Sequence, residues 1–180
     1  MDFKRTLIIT HPVEVVWIAM RDEMPHVVDL LKEIESIDVK AYELQDSDNV
    51  VVTKVWTAAP ELPRFVANYI KPGMLSWTEY GEWIQADQLC NWTIQSHAFK
   101  NAIHCNGVTK FEPAIGGKGT KTTFSGSIEI DLEQLSDEFK LAKSMSTQVI
   151  ELIAQSIIPR NFAEVTKAIG RYLDLKRTDL

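Results

Sequence analysis

Cysteine is scarce in this chain of 180 residues, which contains only Cys90 and Cys105. Two are too few for a disulfide framework, and they lack the spacing of a zinc site. Free thiols are therefore expected. No apolar run reaches the ~18–20 residues of a membrane-spanning helix, so no stable membrane insertion is expected. Low-complexity tracts are missing, which removes disorder as the default. Basic blocks are missing too. The net charge is −6 with acidic residues spread along the chain, which argues against nucleic acid as a partner. The opening residues, MDFKRTLIIT, lack the basic region, apolar stretch and cleavage site of a secretory leader, so a cytoplasmic location is expected. There is no Gly-x-Ser-x-Gly, no phosphate loop and no convincing Cys/His pair, so nucleophilic catalysis has no support and no cofactor is expected.

What is present fits one globular domain over residues 1–180, because 45% hydrophobic residues suffice for a real core. Residues 3–10 alternate like a strand, with Leu7 and Ile9 against Thr6 and Thr10. Pro12 opens a helix carrying Val16, Trp17 and Met20 at helical spacing, and a second short helix is expected after Pro25. Residues 37–44 and 50–58 predict a hairpin across the turn formers Asp46 to Asn49. Residues 61–70 read as a short helix between prolines and Pro72-Gly73. Four strands follow at 74–85, 89–99, 102–113 and 120–132, separated by turn signals. The last ~40 residues read as a long helix, with Ser136 as a candidate cap and a kink near Gln155 caused by Pro159.

Hairpin registers can be set from the turns alone. Centring the first on Lys100-Asn101 places Ser96 opposite Cys105, Ile94 opposite Gly107 and Cys90 opposite Phe111. Centring the next on the glycine cluster places Phe111 opposite Phe124, Thr109 opposite Gly126, Gly107 opposite Ile128 and Cys105 opposite Ile130. Both registers put Cys90, Trp92, Ile94, Ile103, Cys105, Phe111, Phe124, Ile128 and Ile130 on one face, as in a one-sided antiparallel sheet. Gly81, Gly107 and Gly126 fall on that same face, where glycine marks a bend or a close approach.

Large rings beside missing side chains leave either a ligand cavity or a filled core. Strand parity turns Glu79 inward with Trp77 and Trp83; a bulge at Gly81 would turn it outward. Facing inward, Glu79 could orient a ligand's polar head or act as an acid or base. His97, His104 and Asp131 fall side by side on the outer face, but three neighbouring strands spread them along a line. They are read as a polar row and no metal is expected. Residues 61–73, with Phe65 and Tyr69 on the apolar side, read either as a lid over the cavity mouth or as a fixed plug.

This order of elements, with the segments WTAAPELPRFVANYI at 56–70, WTEYGEW at 77–83 and GVTKFEP at 107–113, resembles the START-like superfamily, also called Bet v 1-like or SRPBCC. The layout is closest to a bacterial branch similar in arrangement to the PRELI-type lipid-transfer domain. The resemblance covers nearly the whole chain. It implies an α+β helix-grip fold, in which a curved seven-stranded antiparallel sheet surrounds a long C-terminal helix. It also implies a cavity between them for a hydrophobic or lipid-like molecule. The expected ligand-binding residues are Trp77, Glu79, Trp83, Trp92, Ile94, Ser96, Cys105, Thr109, Phe111, Phe124 and Ile128 on the sheet, and Met145, Val149 and Leu152 on the helix. The expected function is binding, transport or sensing of such a molecule. The alternatives are a polyketide cyclase or hydratase using Glu79, and an interaction domain with a filled core. No protein partner can be named.

Overall fold

A computed structural model of the chain describes residues 1–59, 74–131, 133–134 and 158–178. Strand β1 (Asp2–Ile9) leads into helix α1 (Val13–Asp22) and a 3-10 helix (Met24–Leu30). Strands β2 (Ile34–Leu44), β3 (Val50–Ala58), β4 (Ser76–Ile84), β5 (Leu89–Ser96), β6 (Ile103–Ala114) and β7 (Gly119–Ile130) follow, then helix α2 (Ile158–Thr178). The strands form one antiparallel sheet in the order β1-β7-β6-β5-β4-β3-β2. The seven-stranded α+β architecture expected from the sequence is the one observed.

The amphipathic patterns explain which faces are buried. Helix α1 buries Val13, Val16, Trp17 and Met20, the i, i+3, i+4, i+7 stripe. Strand β3 alternates strictly between buried and half-buried positions, with Val50, Val52, Lys54, Trp56 and Ala58 inward. Helix α2 buries Val165, Ala168, Ile169 and Leu173 against the same core. Its Phe162 ring stands 4.9 Å from Phe124, 5.2 Å from Trp92 and 5.6 Å from Phe3. Two polar ties hold its far end. His11 Nε2 lies 2.9 Å from Asp174 Oδ1, and Lys176 Nζ donates to Glu23 Oε1 at 2.8 Å.

Several expectations need correction. The short helix expected after Pro25 is a 3-10 helix that already begins at Met24, and β2 starts at Ile34, three residues before the expected Ile37. Both hairpin registers are shifted by two residues. Ile94 pairs with Cys105, Trp92 with Gly107 and Cys90 with Thr109, while Thr109 pairs with Phe124 and Gly107 with Gly126. In the first hairpin the cause is Phe99. Its ring is buried, its N–H donates to Ser96 Oγ at 3.2 Å, and its carbonyl accepts from Ala102 and Ile103. The connection closes around that residue, one position before the expected centre. In the second hairpin Ile115, Gly116 and Gly117 all have positive φ, which again moves the centre back one residue. A two-residue slip preserves side-chain parity, so the predicted inward face survives. The expected helix at 61–70, the Ser136 cap and the kink near Gln155 lie outside the described residues. Among those residues no helix is long and apolar enough to cross a membrane.

Gly107 and Gly126 face each other at the point of closest approach. A Cβ on Gly107 would collide with the Ser125 carbonyl oxygen and stand 2.5 Å from the Trp92 ring. One on Gly126 would collide with the Asn106 carbonyl oxygen. The bare backbone makes room for the Trp92 indole to lie across β6 and β7.

Candidate functional site

Inward residues of β3–β7, the end of α1, and Phe162 and Val165 of α2 line a cavity of about 130 Å³. One water needs only ~10–15 Å³. Trp77, Glu79 and Trp83 reach it from β4, and Trp92, Ile94 and Ser96 from β5. Cys105, Thr109 and Phe111 reach it from β6, and Phe124 from β7. Ile128 is buried on the same face but is not among the lining residues. Met145, Val149, Leu152, Phe65 and Tyr69 lie outside the described residues.

Glu79 turns inward: its register against Lys54 and Ile94 is regular and no bulge intervenes at Gly81. Directly opposite stands a residue that sequence reasoning missed. The Lys54 side chain is 1% exposed, and its Nζ lies 3.6 Å from Glu79 Oε1. Burying an ammonium is unfavourable unless it is paired and hydrogen-bonded. Lys54 obtains this from three directions. Glu79 supplies opposite charge, and the Trp83 ring centroid lies 5.1 Å from Nζ. Met20 O accepts a hydrogen bond from Nζ at 3.1 Å. That carbonyl belongs to the last turn of α1, where carbonyls lack partners within the helix and the helix dipole is negative. Lys54 therefore ties the sheet to the end of α1. The signal was present in β3, since a lysine at the centre of Val50, Val52, Lys54, Trp56 and Ala58 must point inward.

The remaining polar groups divide sharply. Trp92 Nε1 donates to Thr109 Oγ1 at 3.1 Å. Trp56 Nε1 and Trp83 Nε1 are also buried, yet no acceptor among the described residues reaches them. The Cys90 thiol is pushed far up from its ordinary pKa by burial, reinforced by the nearby Glu79 charge. Burial alone pushes Cys105 to about 12. Both cysteines are free and buried, consistent with a dry cavity wall.

The outer polar row disperses. His97 Nδ1 and Nε2 lie 2.9 Å from Ser76 Oγ and 2.8 Å from Thr78 Oγ1. His104 pairs with Gln95 and Glu129 in the sheet, and Asp131 Oδ1 accepts from the N–H groups of Glu133 and Gln134. The register slip separates His97 from His104. Among the described residues no cluster of three His, Cys, Asp or Glu could hold a metal.

No protein-family model matches the chain, and no curated protein sequence does. Solved structures do share its fold. TTHA0849 from Thermus thermophilus superposes with a TM-score of 0.64 at 16% identity, covering 95% of each chain. The Zhui aromatase/cyclase from Streptomyces sp. R1128 gives 0.65 at 13% identity, covering 97% of this chain and 93% of its own. Norcoclaurine synthase from Thalictrum flavum, solved with dopamine and hydroxybenzaldehyde, gives 0.59 at 11% identity, covering 96% and 86%. The fold these structures share with the chain is a helix-grip α+β fold, a seven-stranded antiparallel sheet with a C-terminal helix.

Proposed function

We propose that this chain binds an apolar small molecule in the cavity between the sheet and α2, as a carrier or sensor working in the cytoplasm. The observation that carries the proposal is a charged rung, Lys54–Glu79, set into the wall of a largely apolar cavity of about 130 Å³. An apolar body gains ~25 cal/mol per Å² of surface removed from water, and a few polar groups fix its orientation. The layout similar to the PRELI-type domain would make the ligand a lipid. Two of the solved structures sharing the fold are named as enzymes, and one of them was solved with small aromatic molecules. A second reading, of the cyclase or hydratase kind, is favoured by the same rung, because it brings an acid and a base together within the cavity.

Native mass spectrometry of the purified chain, with organic extraction, should find a discrete apolar molecule, and Ile94→Trp should reduce its occupancy several-fold by filling the cavity. Binding of an apolar fluorophore equal in wild type and Ile94→Trp would count against the proposal. Glu79→Gln separates the two readings. It should change the affinity for a carried molecule only a few-fold but abolish turnover if the rung performs acid–base chemistry.

A further inference from the structure

The polar atoms of the cavity wall are unequally matched. Lys54 Nζ carries three N–H donors and gives one to Met20 O. Trp56 and Trp83, 6% and 4% exposed, each add an indole N–H that meets no acceptor among the described residues. Against them stands one carboxylate, Glu79, 3.6 Å from Nζ. Trp92, whose N–H is satisfied by Thr109 on the same wall, shows that an indole here can be given a partner. Buried polar groups are almost always hydrogen-bonded. Trp17 Nε1 is likewise buried without an acceptor among the described residues, but only Trp56 and Trp83 line the cavity, where a ligand's acceptor can meet them.

The Lys54 ammonium and the Trp83 indole lie together, 5.1 Å from Nζ to the ring centroid, and the register places Trp56 on the neighbouring rung. Counting only inward residues, β3 and β4 form the rungs Val50/Trp83, Val52/Gly81, Lys54/Glu79 and Trp56/Trp77. Trp56 is one rung beyond the charged pair. Trp83 is two rungs before it, but its Nε1 lies 2.9 Å from where a Gly81 Cβ would be, so the indole folds back along the strand toward Glu79. The missing side chain at Gly81 permits this.

We infer that the ligand carries a neutral oxygen acceptor, a carbonyl, which accepts from Trp83 Nε1 and Trp56 Nε1 beside the Lys54 ammonium. This rests on the ligand-binding reading above and specifies its polar end. The charge balance selects neutrality. Lys54 and Glu79 already offset each other, so a carboxylate would bring an uncompensated negative charge into an apolar site. An ammonium would meet N–H donors and the Lys54 cation. A pure hydrocarbon would leave both indoles unpaired. A ketone, aldehyde or ester accepts two hydrogen bonds and adds no charge.

Four probes with one aromatic frame test this by calorimetric titration into the full chain. They are 2-acetonaphthone, 2-isopropenylnaphthalene, 1-(2-naphthyl)ethylamine and 2-naphthoate. After reference to each probe's water-to-cyclohexane transfer, the ketone should bind at least about tenfold more tightly than the isosteric alkene, the value of one to two hydrogen bonds. The amine and the carboxylate should bind more weakly than the ketone. Trp83→Phe and Trp56→Phe keep the ring and remove the N–H, and each should weaken the ketone several-fold while leaving the alkene unchanged. Equal binding of ketone and alkene, or tightest binding of the amine or the carboxylate, overturns the assignment while leaving the cavity reading standing. A ketone advantage that survives both tryptophan substitutions overturns it as well. Failure of all four probes to bind overturns both.

Discussion

Lys54 shows how much one buried charge depends on its partners. Replacing it with methionine removes the donor to Met20 O and leaves Glu79 facing an apolar wall without a counter-charge. The expected cost is about 2–3 kcal/mol, below the ~3–5 typical of a fully buried pair because Glu79 is 18% exposed. Lys54→Met/Glu79→Leu removes both charges and should recover most of that loss. Urea unfolding of the single and double variants measures the coupling, and additive losses would contradict the pairing. The two thiols give a pH dependence. Folding holds Cys90 and Cys105 above their ordinary value of 9.0. Their contribution to stability is complete below that value and is lost as the pH rises from about 9 toward 12, because the unfolded chain gives up its thiol protons first. The denaturation midpoint should fall more steeply between pH 9 and 11 in the wild type than in Cys90→Ala/Cys105→Ala. Parallel curves would remove the thiols from that account.

Among the elements, β6 and β7 carry the tightest constraint. Gly107 and Gly126 are paired, and a methyl group on either would run into a backbone carbonyl oxygen. Backbone cannot rotate away as a side chain can. Gly107→Ala and Gly126→Ala should each cost about 3 kcal/mol or more, the range of severe overpacking. Thermal unfolding checks this, and a melting temperature within a degree of wild type would show that the strands can part there. Gly81→Ala is a milder contrast, since its nearest neighbour is the Trp83 indole nitrogen at 2.9 Å rather than backbone. The turns show the limit of element-level reasoning. Lys100-Asn101 looks like a hairpin centre, but buried Phe99 takes that role. Burial of a ring outweighs local turn preference, and nothing in the six residues at 97–102 announces it.

At the scale of the whole molecule, the chain's alternation and its turn signals were enough to establish seven strands, the inward face and the positions of Trp77, Trp83, Trp92, Phe111 and Phe124 upon it. They suffice because side-chain parity is a period-two property, which an even slip in register leaves untouched. Lys54 was legible in the same way, since its parity on β3 is unambiguous, but sequence reasoning passed over it. Only the tertiary structure decided what surrounds it. The Met20 carbonyl comes from a different element 34 positions earlier, and Glu79 arrives by strand pairing. The volume of the cavity and the orphaned indole N–H groups were likewise beyond reach of the sequence. A cavity is the space left after all neighbouring side chains have packed, and an unmet donor is defined by atoms that fail to come close. Both depend on distances between residues far apart in the chain, which periodicity does not encode.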